Sequence, residues 1–584
     1  MRSLVRGLVV CLSAGALFAQ LTPDQRLLDF QNLSALFAKR YGPYDWKKQA
    51  LGFDLFNVKP WLDRVRAARD DLEFYEIEAE YVASLADSHS ALSTPSSLIA
   101  DLGIGVDLYD GLALIESVNR TLLPASRFPF TTGDELVSVN GRSVEDWIQL
   151  IAKWTGSGNP AAARRIAAAL IPHQPQEVIP RAVELGDTAE VVIRRANGDL
   201  QTYTLPWTKS GAPVRVVGPV PLPKFDARPR EAGAAPGNPM VPERLETLSL
   251  PANNPLLAPI GWAADEDGSP RRLLLGFGAR TPVFRSGLPA SFVQRLGRSA
   301  SDYHFSGTYQ ANGLTIGLLR VPGFAPPSRA GAVRELDAEI DYLQKNTDGL
   351  VVDVTRNPGG TVGYVADVAA RLIPFPFFIP GFQIRATQEW LISFQAQLEA
   401  ARANGAPPWA IETYQSFVDQ VSQAMKANRG MTDPIALARQ NGTDWAPVLD
   451  GNPPATVVYT KPMIVLADEF TASAGDLFAA VIQDNARAPL VGMRTNGAGG
   501  TVEALDTGFY SESSAGVTES LMVRNHTVVT PDLPPAPYVE SIGVRPDIQL
   551  DYMTRDNLMG SGRPFVDRFT AILVDQIQQS ASAK

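Results

Sequence analysis

The sequence is poor in the residues of thiol and metal chemistry. Its 584 residues hold one cysteine, Cys11, and four histidines. A single thiol excludes a disulfide framework, cysteine-based zinc fingers and iron–sulfur sites. A cationic block is also missing: acids exceed bases by 62 − 52 = 10. Phosphate affinity needs clustered Lys and Arg, so nucleic acid is not an expected partner. Beyond the N-terminus no stretch stays apolar for 18 residues, so no stable membrane insertion is expected. Glycine and proline are plentiful, at 47 and 46, and favour long loops. The length predicts three to four domains, at roughly 150 residues each.

The first residues read Met-Arg-Ser-Leu-Val-Arg, followed by an uncharged run from Gly7 to Ala19. A basic start, a short apolar run and a small closing residue predict a secretory signal peptide at 1–19. The protein is then exported, to the periplasm or outside the cell, and loses its cysteine if cleavage follows Ala19. Val10 before Cys11 argues against a lipid anchor there.

Residues 23–96 read as amphipathic helices, with Leu27, Phe30, Leu33 and Phe37 at helical spacing. They end in Asp87-Ser88-His89-Ser90. Between 100 and 207 short β-like runs take over. Gly133-Asp134-Glu135-Leu136-Val137-Ser138-Val139-Asn140-Gly141 is a turn, a strand and a tight Asn-Gly turn. This stretch resembles a PDZ domain. That resemblance implies that Leu102-Gly103-Ile104-Gly105 is a loop whose amides take a substrate carboxylate. Residues 153–185 read as an insertion in it. Residues 206–259 carry twelve prolines, a density that predicts no regular element. The segment is read as a surface linker or as an exposed, cleavable cover of the active site. From Gly313 the pattern becomes α/β. Two continuous apolar runs, Leu350 to Val354 and Met463 to Ala467, have the look of strands buried on both faces.

Four segments carry chemistry. Thr471-Ala472-Ser473-Ala474-Gly475-Asp476 follows a buried strand and opens a helix. That places a hydroxyl where helix amides favour an oxyanion, although Ser473 or Thr471 could simply cap the helix. Arg356-Asn357-Pro358-Gly359-Gly360 follows the other buried strand and exposes backbone amides. A serine needs a base, and His89, between two serines and after an acid, is the candidate. Glu540, in Glu540-Ser541-Ile542-Gly543-Val544-Arg545-Pro546-Asp547, could orient a histidine.

In order and local sequence these segments resemble the serine peptidases comprising the C-terminal processing (tail-specific) proteases and the tricorn core protease. The resemblance covers about 60–65% of the chain and leaves out 210–305 and 380–455. It implies an α/β fold: a ClpP/crotonase-like protease core with a helical N-terminal region and an inserted PDZ-like β domain. The tail-specific branch uses a Ser/Lys dyad, whose lysine falls about 25 residues past the serine, at Ala498 here. Alanine cannot accept a proton. The chain therefore resembles the His-using branch, with the tricorn core and the chlamydial protease-like activity factor.

The implied domains are the signal peptide at 1–19, a helical region carrying the catalytic histidine at 20–98 and the PDZ-like domain at 99–207. A Pro-rich insertion follows at 208–305, and the protease core spans 306–379 and 456–584 around a helical insertion at 380–455. The implied activity is a serine endopeptidase acting on polypeptides through Ser473, His89 and Glu540. Ser88 would support the histidine, and amides of Ala474 and of Gly359 or Gly360 would hold the oxyanion. No metal or other cofactor is expected, and a homodimer is possible by analogy with the chlamydial relative. The rival reading is an inactive peptide- or ligand-binding protein on the same scaffold.

Overall fold

A computed structural model of the chain describes residues 20–214, 247–249, 276–406, 408–435, 439–441, 444–446, 455 and 457–582. The signal peptide expected at 1–19 and most of the Pro-rich insertion lie outside these residues.

The two apolar runs are neighbours at the centre of a seven-stranded sheet. Its order is Val293–Gln294, Phe305–Ala311, Leu314–Arg320, Gly349–Asp353, Met463–Ala467, Leu490–Gly492, Ile548–Gln549. Gly349–Asp353 and Met463–Ala467 pair in parallel, Val351 opposite Ile464, and both are buried along their whole length. A parallel strand covered on both faces has no solvent side, which is why these runs show no alternation. Helices Arg329–Asn346, Val362–Leu372 and Ala474–Asp484 cover one face through Leu336, Val365 and Leu477. Arg563–Ser582 covers the other through Phe565, Phe569 and Leu573. Because the central strands run parallel, their following loops leave at the same edge, where open α/β sheets build sites. Asn357 O accepts the Ala472 amide at 2.8 Å and ties the two loops together.

The N-terminal region is helical, as read. Helix Pro23–Arg40 starts with a Thr22/Gln25 capping box, and Asp71–Ala83 is capped by Asp70. Phe30, Phe37 and Tyr81 pack between them. The chain then turns through 87–90, and Leu92–Ser93 pairs with Ser514–Thr518 of the core. That pairing fixes the turn against the sheet.

The main sheet of the β domain has six strands. Five follow the order Ile104–Tyr109, Leu112–Val118, Glu135–Val139, Thr188–Arg194, Leu200–Pro206, and Arg142–Ser143 pairs with the third. Asn140 and Gly141 have φ of 52° and 74°, the left-handed pair that the Asn-Gly turn requires. The 153–185 insertion contributes helix Pro160–Leu170 and strand His173–Pro175.

The expectation that the Pro-rich stretch holds no regular element needs correction. Thr208–Ser210 pairs with Ile99–Asp101, and Thr247–Ser249 pairs antiparallel with Gly359–Thr361. Both triplets are free of proline, so their amides can join a ladder. Helices Gln388–Ala403 and Pro408–Lys426 follow strand Gly381–Ile384, which pairs with Ser520–Val528 of the core.

Candidate active site

Ser473 sits between strand Met463–Ala467 and helix Ala474–Asp484, and its backbone is bent to φ 59°, ψ −113°. A non-glycine residue there carries strain on the order of 1–3 kcal/mol. The bend presents the hydroxyl to His89. Asp476 holds it: its carboxylate accepts Ser473 N at 2.7 Å, Gly497 N at 3.0 Å, Ala498 N at 3.1 Å and the Thr495 hydroxyl. Thr471 spends its hydroxyl on Val354 O at 2.8 Å, which joins the two loops again.

Ser473 Oγ lies 2.8 Å from His89 Nε2, across 384 residues of sequence. Both residues are fully buried. The His89 amide donates to Asp87 Oδ1 at 2.9 Å, and the Tyr41 hydroxyl donates to Asp87 Oδ2 at 2.9 Å. Asp87 is thereby held in place two residues before His89. Burial pushes the His89 pKa down to about 4; the Asp87 charge pulls it up and the Lys47 ammonium pushes it further down. Two consequences favour an acceptor at Nε2: the ring is neutral at neutral pH, and it is already aimed at the hydroxyl.

Glu540 does not touch His89. Its Oε1 lies 2.6 Å from Lys47 Nζ, and its Oε2 accepts Gly499 N at 3.0 Å. Lys47 Nζ also donates to Ser541 Oγ at 2.6 Å and Ala86 O at 2.8 Å. Lys47 and Glu540 are both fully buried. Burial and the nearby Asp87 charge push the Glu540 carboxyl up, and Lys47 opposes them. Ser88 turns its hydroxyl to Ser157 Oγ at 3.1 Å. The structure thus brings Ser473 and His89 into contact and surrounds them with Asp87, Lys47 and Glu540. The sequence reading has Glu540 hold the imidazole through a water or Ser88; among the described residues the carboxylate bonds directly to Lys47 and to the Gly499 amide, a cationic partner favouring the charge-assisted pair.

Ala474 is the first residue of its helix, so its amide has no intrahelical partner. The Gly359 amide donates to Asn357 Oδ1 at 2.9 Å and is therefore spent, contrary to one of the two sequence options. Gly359 O and Thr361 N both bond to Phe324, so the Gly360 amide faces the opposite edge, the one paired with Thr247–Ser249. Only glycine fits at 360: its φ is +148° and a Cβ would fall 2.0 Å from the Phe324 carbonyl carbon.

In the β domain, Leu102 N donates to Pro172 O at 2.9 Å and Gly103 N to Asp101 Oδ1 at 2.6 Å. These two amides of the expected carboxylate loop, which runs on through Ile104 and Gly105, are already bonded within the chain. Sequence reasoning did not single out Lys47, Asn357 or Asp476 as functional. Asp476 carried a legible signal, an acid three residues into a helix that starts at a serine. Nothing in the sequence separates Lys47 from its neighbour Lys48.

Residues 315–550 match Peptidase family S41, and residues 99–214 match the PDZ domain. A protein of Chlamydia pneumoniae is 24% identical over 620 residues, covering 99% of this chain and 94% of its own length. A carboxyl-terminal-processing protease of Synechocystis sp. is 25% identical over 236 residues, which is 40% of this chain and 38% of that protein. The crystal structure of mature CPAF, the chlamydial protease-like activity factor, has the same fold. It is 21% identical, with a TM-score of 0.71, over 96% of this chain and 98% of that one. The chain is a serine-type peptidase that acts on polypeptides, and its residues 315–550 belong to peptidase family S41.

Proposed function

We propose that the protein is an exported serine endopeptidase with Ser473 as nucleophile and His89 as general base. The 2.8 Å contact between Ser473 Oγ and His89 Nε2 carries the reading. His89 Nε2 takes the hydroxyl proton as Oγ attacks the scissile carbonyl, and later returns it to the leaving amine. The Ala474 and Gly360 amides hold the oxyanion; losing one such donor costs about 10²–10³ in kcat in other proteases. Asp87 stabilises the imidazolium through space. Glu540 acts from behind it and sets the local field together with Lys47. The edge of Gly359–Thr361 that Thr247–Ser249 occupies takes substrate as an antiparallel strand in the same geometry. The export part of the proposal rests on the sequence of residues 1–19.

A fluorophosphonate probe is the direct test. It should label Ser473, as read by peptide mass spectrometry, and labelling should vanish in His89→Ala. An unmodified Ser473 in protein that is folded and free of inhibitor would overturn the assignment in favour of an inactive binding protein.

The depressed His89 pKa makes a second prediction. Only the neutral ring can accept the proton, so kcat/KM should rise with pH through about 4 and be level by neutral pH. An ordinary histidine would place that limb near 6.5. For stability the sign is the same. Between 6.5 and 4 the unfolded chain binds a proton that folded His89 refuses, so this group makes the fold less stable as pH falls through that window. A limb at 6 or above would show that His89 is not held as described.

A further inference from the structure

A PDZ domain takes a peptide by adding it as a strand to a sheet edge. The terminal carboxylate sits on loop amides, and side chains drop between that strand and a helix. Here the chain itself takes the loop amides and fills the space between the strand and the helix. Ile104–Tyr109 is the edge strand of the β domain. Val144–Ile151, the helix after the Asn-Gly turn, packs on the inserted helix Pro160–Leu170, and the inserted helix lies on the edge strand. Ala162, Ile166, Ala169 and Leu170 share one core with Leu102, Ile104 and Val106, and none of the seven is more than 4% exposed.

The polar groups are matched too. Arg165 of the inserted helix forks onto Asp107 of the strand, at 2.9 Å to Oδ1 and 2.6 Å to Oδ2. Asp107 Oδ1 in turn accepts the Leu108 amide at 2.7 Å. In the loop, Pro172 O takes the Leu102 amide and Asp101 Oδ1 takes the Gly103 amide, while Asp101 Oδ2 pairs with His173 Nδ1 at 2.6 Å. An internal carboxylate is thus already seated on the loop. A bidentate Arg–carboxylate pair in a fully buried seam holds the helix that fills the groove.

We propose that this PDZ domain is occupied by its own inserted helix, and that the enzyme selects substrates without reading a C-terminal carboxylate. This goes beyond the catalytic reading and rests on it only for the turnover measurement. Three experiments on the full chain test it.

The first is hydrogen exchange of the free enzyme. The 101–109 amides should exchange as slowly as those of the adjoining strand Leu112–Val118; complete exchange within seconds would show an open groove and overturn the proposal. The second is fluorescence anisotropy of Ser473→Ala with a fluorescein-labelled decapeptide ending in Leu-Ala-Ala, as free acid and as amide. Neither form should bind at the β domain up to about 1 mM; saturable binding of the acid alone, lost on amidation, would refute it. The third is turnover of one cleavable peptide with a free or an amidated terminus. The two kcat/KM values should agree within about twofold, and a tenfold loss on amidation, about 1.4 kcal/mol, would refute it. If the catalytic reading itself failed, no turnover would be seen, yet the first two results would still decide the proposal.

Discussion

Replacing Ser473 with alanine is expected to lower kcat for peptide hydrolysis on the order of 10⁶-fold, the scale seen when a protease loses its nucleophile. The fold should barely respond. The substitution removes one oxygen and its bond to His89 and leaves the bent backbone at φ 59° in place. A single such bond is worth about 1 kcal/mol, so the thermal midpoint should stay within about 2 °C in a chain of this size. His89→Ala should be similarly inactive, and the double variant no worse than either single one, because the two residues act as a unit. The same variant tests the Pro-rich stretch. Mass spectrometry of wild type is expected to find self-cleavage between about 210 and 300, on both sides of the strand seated at Gly359–Thr361, and Ser473→Ala should stay intact. Wild-type turnover surviving in Ser473→Ala would end the assignment.

Lys47→Met is expected to be the most destabilising single change near the site. It leaves the Glu540 carboxyl fully buried and bonded only to the Gly499 amide and weakly to Ser541. Breaking a buried pair in this way costs about 3–5 kcal/mol. The loss should depend on pH with a definite sign. Without Lys47, Glu540 stays protonated in the folded state, and its raised pKa makes the fold lose stability as pH climbs above the unfolded value near 4.5. Urea unfolding should therefore show a larger loss at pH 8 than at pH 5. Adding Glu540→Gln should recover a good part of it, as a coupled pair requires. The acid limb of kcat/KM should also move up, since Lys47 is one of the two influences that depress His89. Equal losses at both pH values, or strict additivity with Glu540→Gln, would show that the pair is not what holds this region together.

These two outcomes separate what was legible from what was not. Ser473 stood out because buried strand, polar turn and helix start are all local patterns. So did the Gly359-Gly360 loop, for the same reason. His89 was reachable by its context and by the resemblance, which puts the dyad lysine at Ala498. Glu540 was read as holding the imidazole through a water or Ser88, and its direct partners, Lys47 and the Gly499 amide, could not be read from the sequence. Lys47 lies on a helix where Lys48, one step round, is exposed.

By itself the sequence determined the α/β core, the helical start, the β domain with its Asn-Gly turn, and the two loops that carry the hydroxyl and the amides. Each follows from hydrophobic period and turn chemistry within a short window. Only the tertiary structure decided that His89 meets a serine 384 residues away. It also decided that the Gly359 amide is spent while Gly360 faces the edge paired with Thr247–Ser249, that Lys47 captures Glu540, and that helix Pro160–Leu170 fills the groove beside Ile104–Tyr109. The physical reason is common to all four. Local pattern reports whether a group is buried, but a buried charge or amide must be matched by another polar group, and which group that is depends on how distant segments pack.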